Sequence, residues 1–109
     1  MATVLPRDAE DYTDAANLLR ALANPLRLAI VGALDDGELC VHELVDALSS
    51  VDPKVTQPLV SQHLRVLRSA GLIDGTRRGR EVAYRLADTH VSSIARDAVT
   101  HAAELASAD

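Results

Sequence analysis

Phenylalanine and tryptophan are missing from this chain of 109 residues, and only two tyrosines are present. A core without large rings has to be built from leucine, valine, isoleucine and alanine, which suits closely packed helices, so a mostly α fold is expected. The one cysteine, Cys40, excludes an intramolecular disulfide framework. No apolar run approaches the roughly 20 residues that a bilayer-spanning helix needs, and no membrane partner is expected. No secretory pattern opens the chain, so the expected location is the cytoplasm. A single domain of this size has a modest core, to which a dimer interface would add buried surface.

Acidic residues outnumber basic ones, 16 to 11, for a formal charge of -5. That balance alone argues against a nucleic-acid partner, but the distribution reverses the argument. From Lys54 to Arg85 seven basic residues stand against Asp74 and Glu81, whereas the rest of the chain carries four basic and fourteen acidic residues. A basic middle between acidic ends suits a surface that meets phosphate on one side only.

Residues 1–12 lack periodicity and read as a flexible N-terminal tail, leaving residues 13–109 as the domain. Ala15, Ala16, Leu18, Leu19 and Leu22 recur at helical spacing from Thr13 onward. Asn24 and Pro25 then start a second helix, the asparagine as cap and the proline in the first turn. Asp35-Asp36-Gly37 ends it. A third helix is expected over 39–48, with Leu44, Val45 and Leu48 facing the core, followed by a loop over 49–55. Thr56 caps a fourth helix with Pro58 in its first turn, Val60, Leu64 and Leu67 on its inner face, and Gly71 just past its end. Two strand-like runs, 72–77 and 80–86, flank Arg78-Gly79 as a hairpin. The closing helix starts near Asp88; its apolar surface, from Val91 to Leu105, is broader than one small core requires and predicts a second subunit.

Helix, loop, polar-faced helix and basic hairpin, in that order, make a winged helix-turn-helix, mostly α with a small β-hairpin wing. The fourth helix is the reader of the major groove. Gln57, Ser61, Gln62 and His63 are candidates for base edges or phosphates, and Arg65 and Arg68 for guanine or phosphate. Arg77, Arg78 and Arg80 on the wing add phosphate or minor-groove contacts. Any one of these arginines could simply solubilise its element; on one motif together they point to DNA.

The closing helix carries Asp88 and His90, then His101 and Glu104. Eleven residues advance an α-helix about 20° past three full turns and roughly 16 Å along its axis, so His90 and His101 share a face but cannot reach one ion. Two copies packed antiparallel about a two-fold axis bring Asp88 and His90 of one to His101 and Glu104 of the other, and the symmetry generates two identical sites. Two imidazoles and two carboxylates form a set that tetrahedral zinc accepts readily and that lacks the thiolates a soft ion favours. The expected cofactor is Zn2+, at two interfacial sites per homodimer. Taken singly, each residue has a plainer role: Asp88 an N-cap, the histidines surface or interface groups, Glu104 a solvated charge. Asp88 converges with His90 only from the non-helical cap position, so its cap and ligand roles hold together.

Three segments carry a family resemblance: Leu19 to Ile30 (LRALANPLRLAI), Gln57 to Leu72 (QPLVSQHLRVLRSAGL), and the Asp88, His90, His101, Glu104 pattern. Together they resemble the ArsR-SmtB family of bacterial metal-responsive repressors, over roughly residues 13 to 106. The resemblance implies a homodimer on double-stranded operator DNA with an imperfect inverted repeat, which leaves that DNA when metal binds. It also implies Asp88 and His90 of one subunit with His101 and Glu104 of the other as ligands. Related sensors bind soft metals through cysteines near Cys40. In this chain His42 stands in place of a second thiol, leaving a buried Cys40 acting as a small hydrophobe, or a second site of Cys40, His42 and Glu43, as the two readings. The segment from Ser50 to Lys54 makes the turn before the reading helix longer than the family usually has.

The expected function is a zinc-responsive transcriptional repressor. The alternative is a winged-helix regulator whose zinc is structural, or whose inducer acts through Cys40. A zinc hydrolase is disfavoured, because four protein ligands leave no open position and the HExxH pattern is missing.

Overall fold

A computed structural model describes residues 8–108. Helix α1, Ala9–Leu22, begins earlier than the periodicity suggested, because Asp8 and Asp11 form a reciprocal capping box. Asp8 accepts from the Asp11 N–H at 3.0 Å, and Asp11 accepts from the Asp8 N–H at 3.2 Å. Residues 9–12, capped by Asp8, therefore belong to a helix rather than to the expected tail, and residues 1–7 lie outside the described part.

Helix α2, Pro25–Leu34, starts as the Asn-Pro pair requires: Asn24 Oδ1 accepts from the Arg27 N–H at 3.1 Å, and Pro25 contributes no donor where none is needed. It is the central helix, packed against α3, α4 and α5. The expected helix over 39–48 divides in two. Leu39–Cys40 is a short strand, β1, and α3 is Val41–Leu48. The reason is non-local: Leu39 and Cys40 pair with Tyr84 and Ala83 far along the chain, and their local sequence carries no sign of it.

Helix α4 is Gln57–Ser69, β2 is Ile73–Arg78, β3 is Glu81–Leu86, and α5 is Thr89–Ala106. The sheet is antiparallel in the order β1-β3-β2. Arg78 pairs with Glu81, so the hairpin turn is Gly79-Arg80, one residue beyond the expected Arg78-Gly79. Gly79 has φ 63°, the left-handed conformation that a two-residue turn with glycine first requires.

The core is aliphatic throughout. Ile30, Val31, Leu44, Leu48, Val60, Leu64, Leu67, Leu72 and Ile73 are fully buried and come from α2, α3, α4, the turn after α4 and the first wing strand. Val45 is only half-buried. The long 49–55 loop is well tied: Asp52 Oδ1 accepts from the Lys54 N–H at 3.0 Å, the Asp52 carbonyl accepts from the Val55 N–H at 3.1 Å, and the Val55 side chain is buried. The extra length thus leaves α4 seated on the core through Val60, Leu64 and Leu67.

Candidate functional site

Helix α4 enters its first turn through Thr56, whose Oγ1 accepts from the Leu59 N–H at 3.3 Å. With every third or fourth residue committed to the core, the opposite face is left to Gln57, Gln62, Arg65 and Arg68, all exposed, and Ser61, half-buried. Ser61, Arg65 and Arg68 border a recess of about 180 Å³ that Tyr84 of β3 closes on the other side. His63 differs from the rest. It is half-buried, and its Nδ1 lies 3.2 Å from Arg27 Nη1, so its ring is engaged with α2 instead of standing among the outward groups as expected. Burial first, and the Arg27 charge second, hold the His63 imidazole below its ordinary value.

The strand register sorts the wing arginines. Residues directly opposite share a face, so Arg77, Val82, Gly75 and Tyr84 lie on the side that meets α4, while Arg78, Glu81, Thr76 and Ala83 lie on the other. Arg77 thus joins the surface of Arg65 and Arg68. Arg78 instead donates from Nη2 to Glu38 Oε2 at 2.8 Å and Oε1 at 3.3 Å, and Arg85 Nη1 stands 3.8 Å from the same carboxylate. Arg80 is exposed at the turn. Glu38 was not anticipated from the sequence, because the strand that carries the chain past the wing was read as helix.

On α5, Asp88 is the N-cap: its Oδ1 accepts from the N–H groups of His90 at 2.9 Å and Val91 at 3.2 Å. The backbone bond from Val91 is the largest cause that holds the Asp88 carboxyl below the usual range. His90 Nδ1 lies 3.5 Å from Asp88 Oδ1, and His101 Nδ1 lies 4.0 Å from Glu104 Oε1. Each pair is exposed, and the two stand on successive parts of one helix. Among the described residues no three His, Cys, Asp or Glu side chains gather to hold an ion within one chain. An N2O2 set for zinc fits these residues as two half-sets, each of one imidazole and one carboxylate. Between them Ile94 and Val99, and beyond them Leu105, are large apolar side chains left exposed.

The second site considered at Cys40, His42 and Glu43 is not assembled. The Glu43 carboxylate accepts from the Cys40 N–H at 2.8 Å as part of the α3 cap, and His42 Nδ1 is 2.8 Å from Glu81 Oε1. Burial, then the charges of Glu81 and Glu43, push the Cys40 thiol up. The sequence also gave no sign of a contact between Asp35 and Arg96, which lie 61 residues apart and meet at 2.6 Å.

Residues 24–74 match the sequence model of the bacterial regulatory protein, arsR family. The chain is 57% identical over 99 residues to the HTH-type transcriptional repressor SmtB of Mycobacterium tuberculosis, covering 91% of this chain and 68% of the relative. It is 40% identical over 100 residues to the HTH-type transcriptional regulator NmtR of the same organism, covering 92% and 79%. Among solved structures, the homodimeric winged helix-turn-helix DNA-binding domain of Mb0332 from Mycobacterium bovis superimposes with TM-score 0.79 at 28% identity, covering 100% of this chain and 96% of that one. The transcriptional repressor BigR from Xylella fastidiosa does so with TM-score 0.71 at 32% identity, covering 86% and 95%.

Proposed function

Because the chain belongs to the arsR family of bacterial regulatory proteins, we propose that it is a zinc-responsive repressor that leaves its operator when zinc binds between two subunits. Its homologues and its fold are those of DNA-binding transcriptional regulators, not of enzymes. The observation that carries the zinc reading is the layout of α5. Asp88 with His90 and His101 with Glu104 are two half-sets too far apart to share one ion, on a helix whose intervening apolar side chains are exposed. A second copy laid antiparallel covers that apolar strip and completes two sites at once.

Without zinc the dimer presents two α4 helices to successive major grooves of an inverted repeat, with Gln57, Ser61, Gln62, Arg65 and Arg68 toward bases and phosphates and Arg77 and Arg80 flanking them. Bound zinc supplies a bridge between subunits, held by Asp88 and His90 of one and His101 and Glu104 of the other. A bridge favours one subunit arrangement over others, and a coupling of about 1–3 kcal/mol weakens DNA binding about 5–150-fold.

The test is fluorescence anisotropy of the upstream DNA with metal-free protein, followed by zinc titration, with His101→Ala alongside. Release of DNA by wild type and retention by the variant supports the reading. Binding by both with no response to zinc makes the metal structural and overturns it.

A further inference from the structure

Outside the reading surface and the α5 half-sets, the most tightly connected polar group joins α5 to the end of α2. Asp35, the C-cap of α2, accepts from Ser92 Oγ at 2.6 Å on Oδ1 and from Arg96 Nη2 at 2.6 Å on Oδ2. Arg96 Nη2 also donates to Ser92 Oγ at 2.8 Å, closing a triangle. Ser92 is the buried polar residue of α5.

The rest of the attachment is narrow. Val91 and Ala95 are the buried apolar residues of α5, which packs chiefly against α2 and less against β3. Apolar contacts of this kind slide and rotate at little cost, whereas hydrogen bonds weaken steeply once bent, so the Asp35 triangle adds a directional restraint on the rotation of α5 about its axis. At the other end of α2, Arg27 donates from Nε to the Ala21 carbonyl at 2.5 Å and meets His63 of α4 through Nη1 at 3.2 Å. Helix α2 is a rigid rod of ten residues, about 15 Å long, with a polar clasp to α5 at one end and a polar contact to the reading helix at the other.

We propose that Asp35 and Arg96 are positioning residues that pass a reorientation of α5 to the reading helix through α2. This rests on the zinc reading above and adds the route by which α5 and α4 are coupled. A bridge between subunits acts on α5, and within the chain α2 is the principal neighbour through which α5 can act on α4.

The test compares wild type with Arg96→Ala, Asp35→Asn and the swapped pair Asp35→Arg with Arg96→Asp. For each, zinc affinity is measured by competition with a chelating dye, and DNA affinity with and without saturating zinc. In both single variants metal-free DNA binding stays within about twofold of wild type. Zinc stoichiometry is also retained, while the zinc-induced weakening of DNA binding shrinks by at least about threefold, and the swapped pair recovers part of it. A merely structural clasp would lower the melting temperature and shift both DNA affinities together, leaving their ratio intact. Single variants with the wild-type ratio overturn the proposal and leave the zinc reading standing. A wild type that zinc does not release from DNA overturns both.

Discussion

Arg78 and Glu38 are 40 residues apart in the chain and joined by two hydrogen bonds, at 2.8 and 3.3 Å, on the face of the wing turned away from α4. Arg77, its neighbour, points to the other face. Three arginines that look equivalent in sequence are therefore unequal toward phosphate. Arg77→Ala should weaken DNA binding and lower the slope of log affinity against log salt by about 0.9, as the loss of one phosphate contact requires. Arg78→Ala should change both less, and Glu38→Ala should tighten binding by freeing Arg78 and Arg85. Salt titrations of the three variants on one duplex check the order.

His63 makes stability depend on acid. Its folded value lies below the ordinary 6.5, so between the two values the unfolded chain binds the proton and the folded chain does not. The stability of the neutral, half-buried ring is complete above the unfolded value and is lost as pH falls through the folded one. Metal-free wild type should lose more melting temperature between about pH 7 and pH 5 than His63→Gln, which cannot take the proton. Parallel slopes for the two proteins would contradict this.

Two glycines should respond to alanine in opposite directions. A Cβ on Gly75 would lie 2.9 Å from Val82 Cγ1 and 3.3 Å from Tyr84 Cε1, whereas one on Gly32 in α2 meets nothing within 4 Å. Gly75→Ala should destabilise the chain by about 1–3 kcal/mol through overpacking of the wing face. Gly32→Ala should stabilise it by about 0.4–1 kcal/mol by restricting the unfolded chain. Denaturant unfolding of both variants reads the two signs.

The apolar strip of α5 predicts the assembly state. Val99 is 54% exposed and Leu105 64% exposed. Val99→Asp should leave a monomer in sedimentation where wild type is the proposed dimer and, with it, abolish tight zinc binding although the four proposed ligand side chains are kept. A variant that is monomeric and still binds zinc tightly would contradict the shared site.

Much of this was legible locally. Asn24-Pro25, Thr56 with Pro58, and Asp88 each announce a helix start with a side chain that does its work within three residues, and the inner stripe of α4 is plain from spacing. What was not legible depends on partners distant in the chain. Leu39-Cys40 looks like the start of a helix until Tyr84 and Ala83 arrive beside it, and Asp35 looks like part of a polar turn until Ser92 and Arg96 are folded against it. The same holds for the contact between His63 and Arg27, 36 residues apart, which nothing in the local sequence announces. The early start of α1 was missed for a different reason: aspartates at 8 and 11 were read as tail composition, although their spacing is that of a capping box.

Within its own chain no described residue of α5 after Ala95 is buried. A helical segment without tertiary packing is marginal in water, so in the proposed dimer the second half of α5 would draw its order from the second copy. On that proposal the cell's protein concentration enters the threshold of zinc binding, because His101 and Glu104 are held ready only where a second copy covers the end of α5. A repressor built as proposed would read its own abundance as well as its inducer.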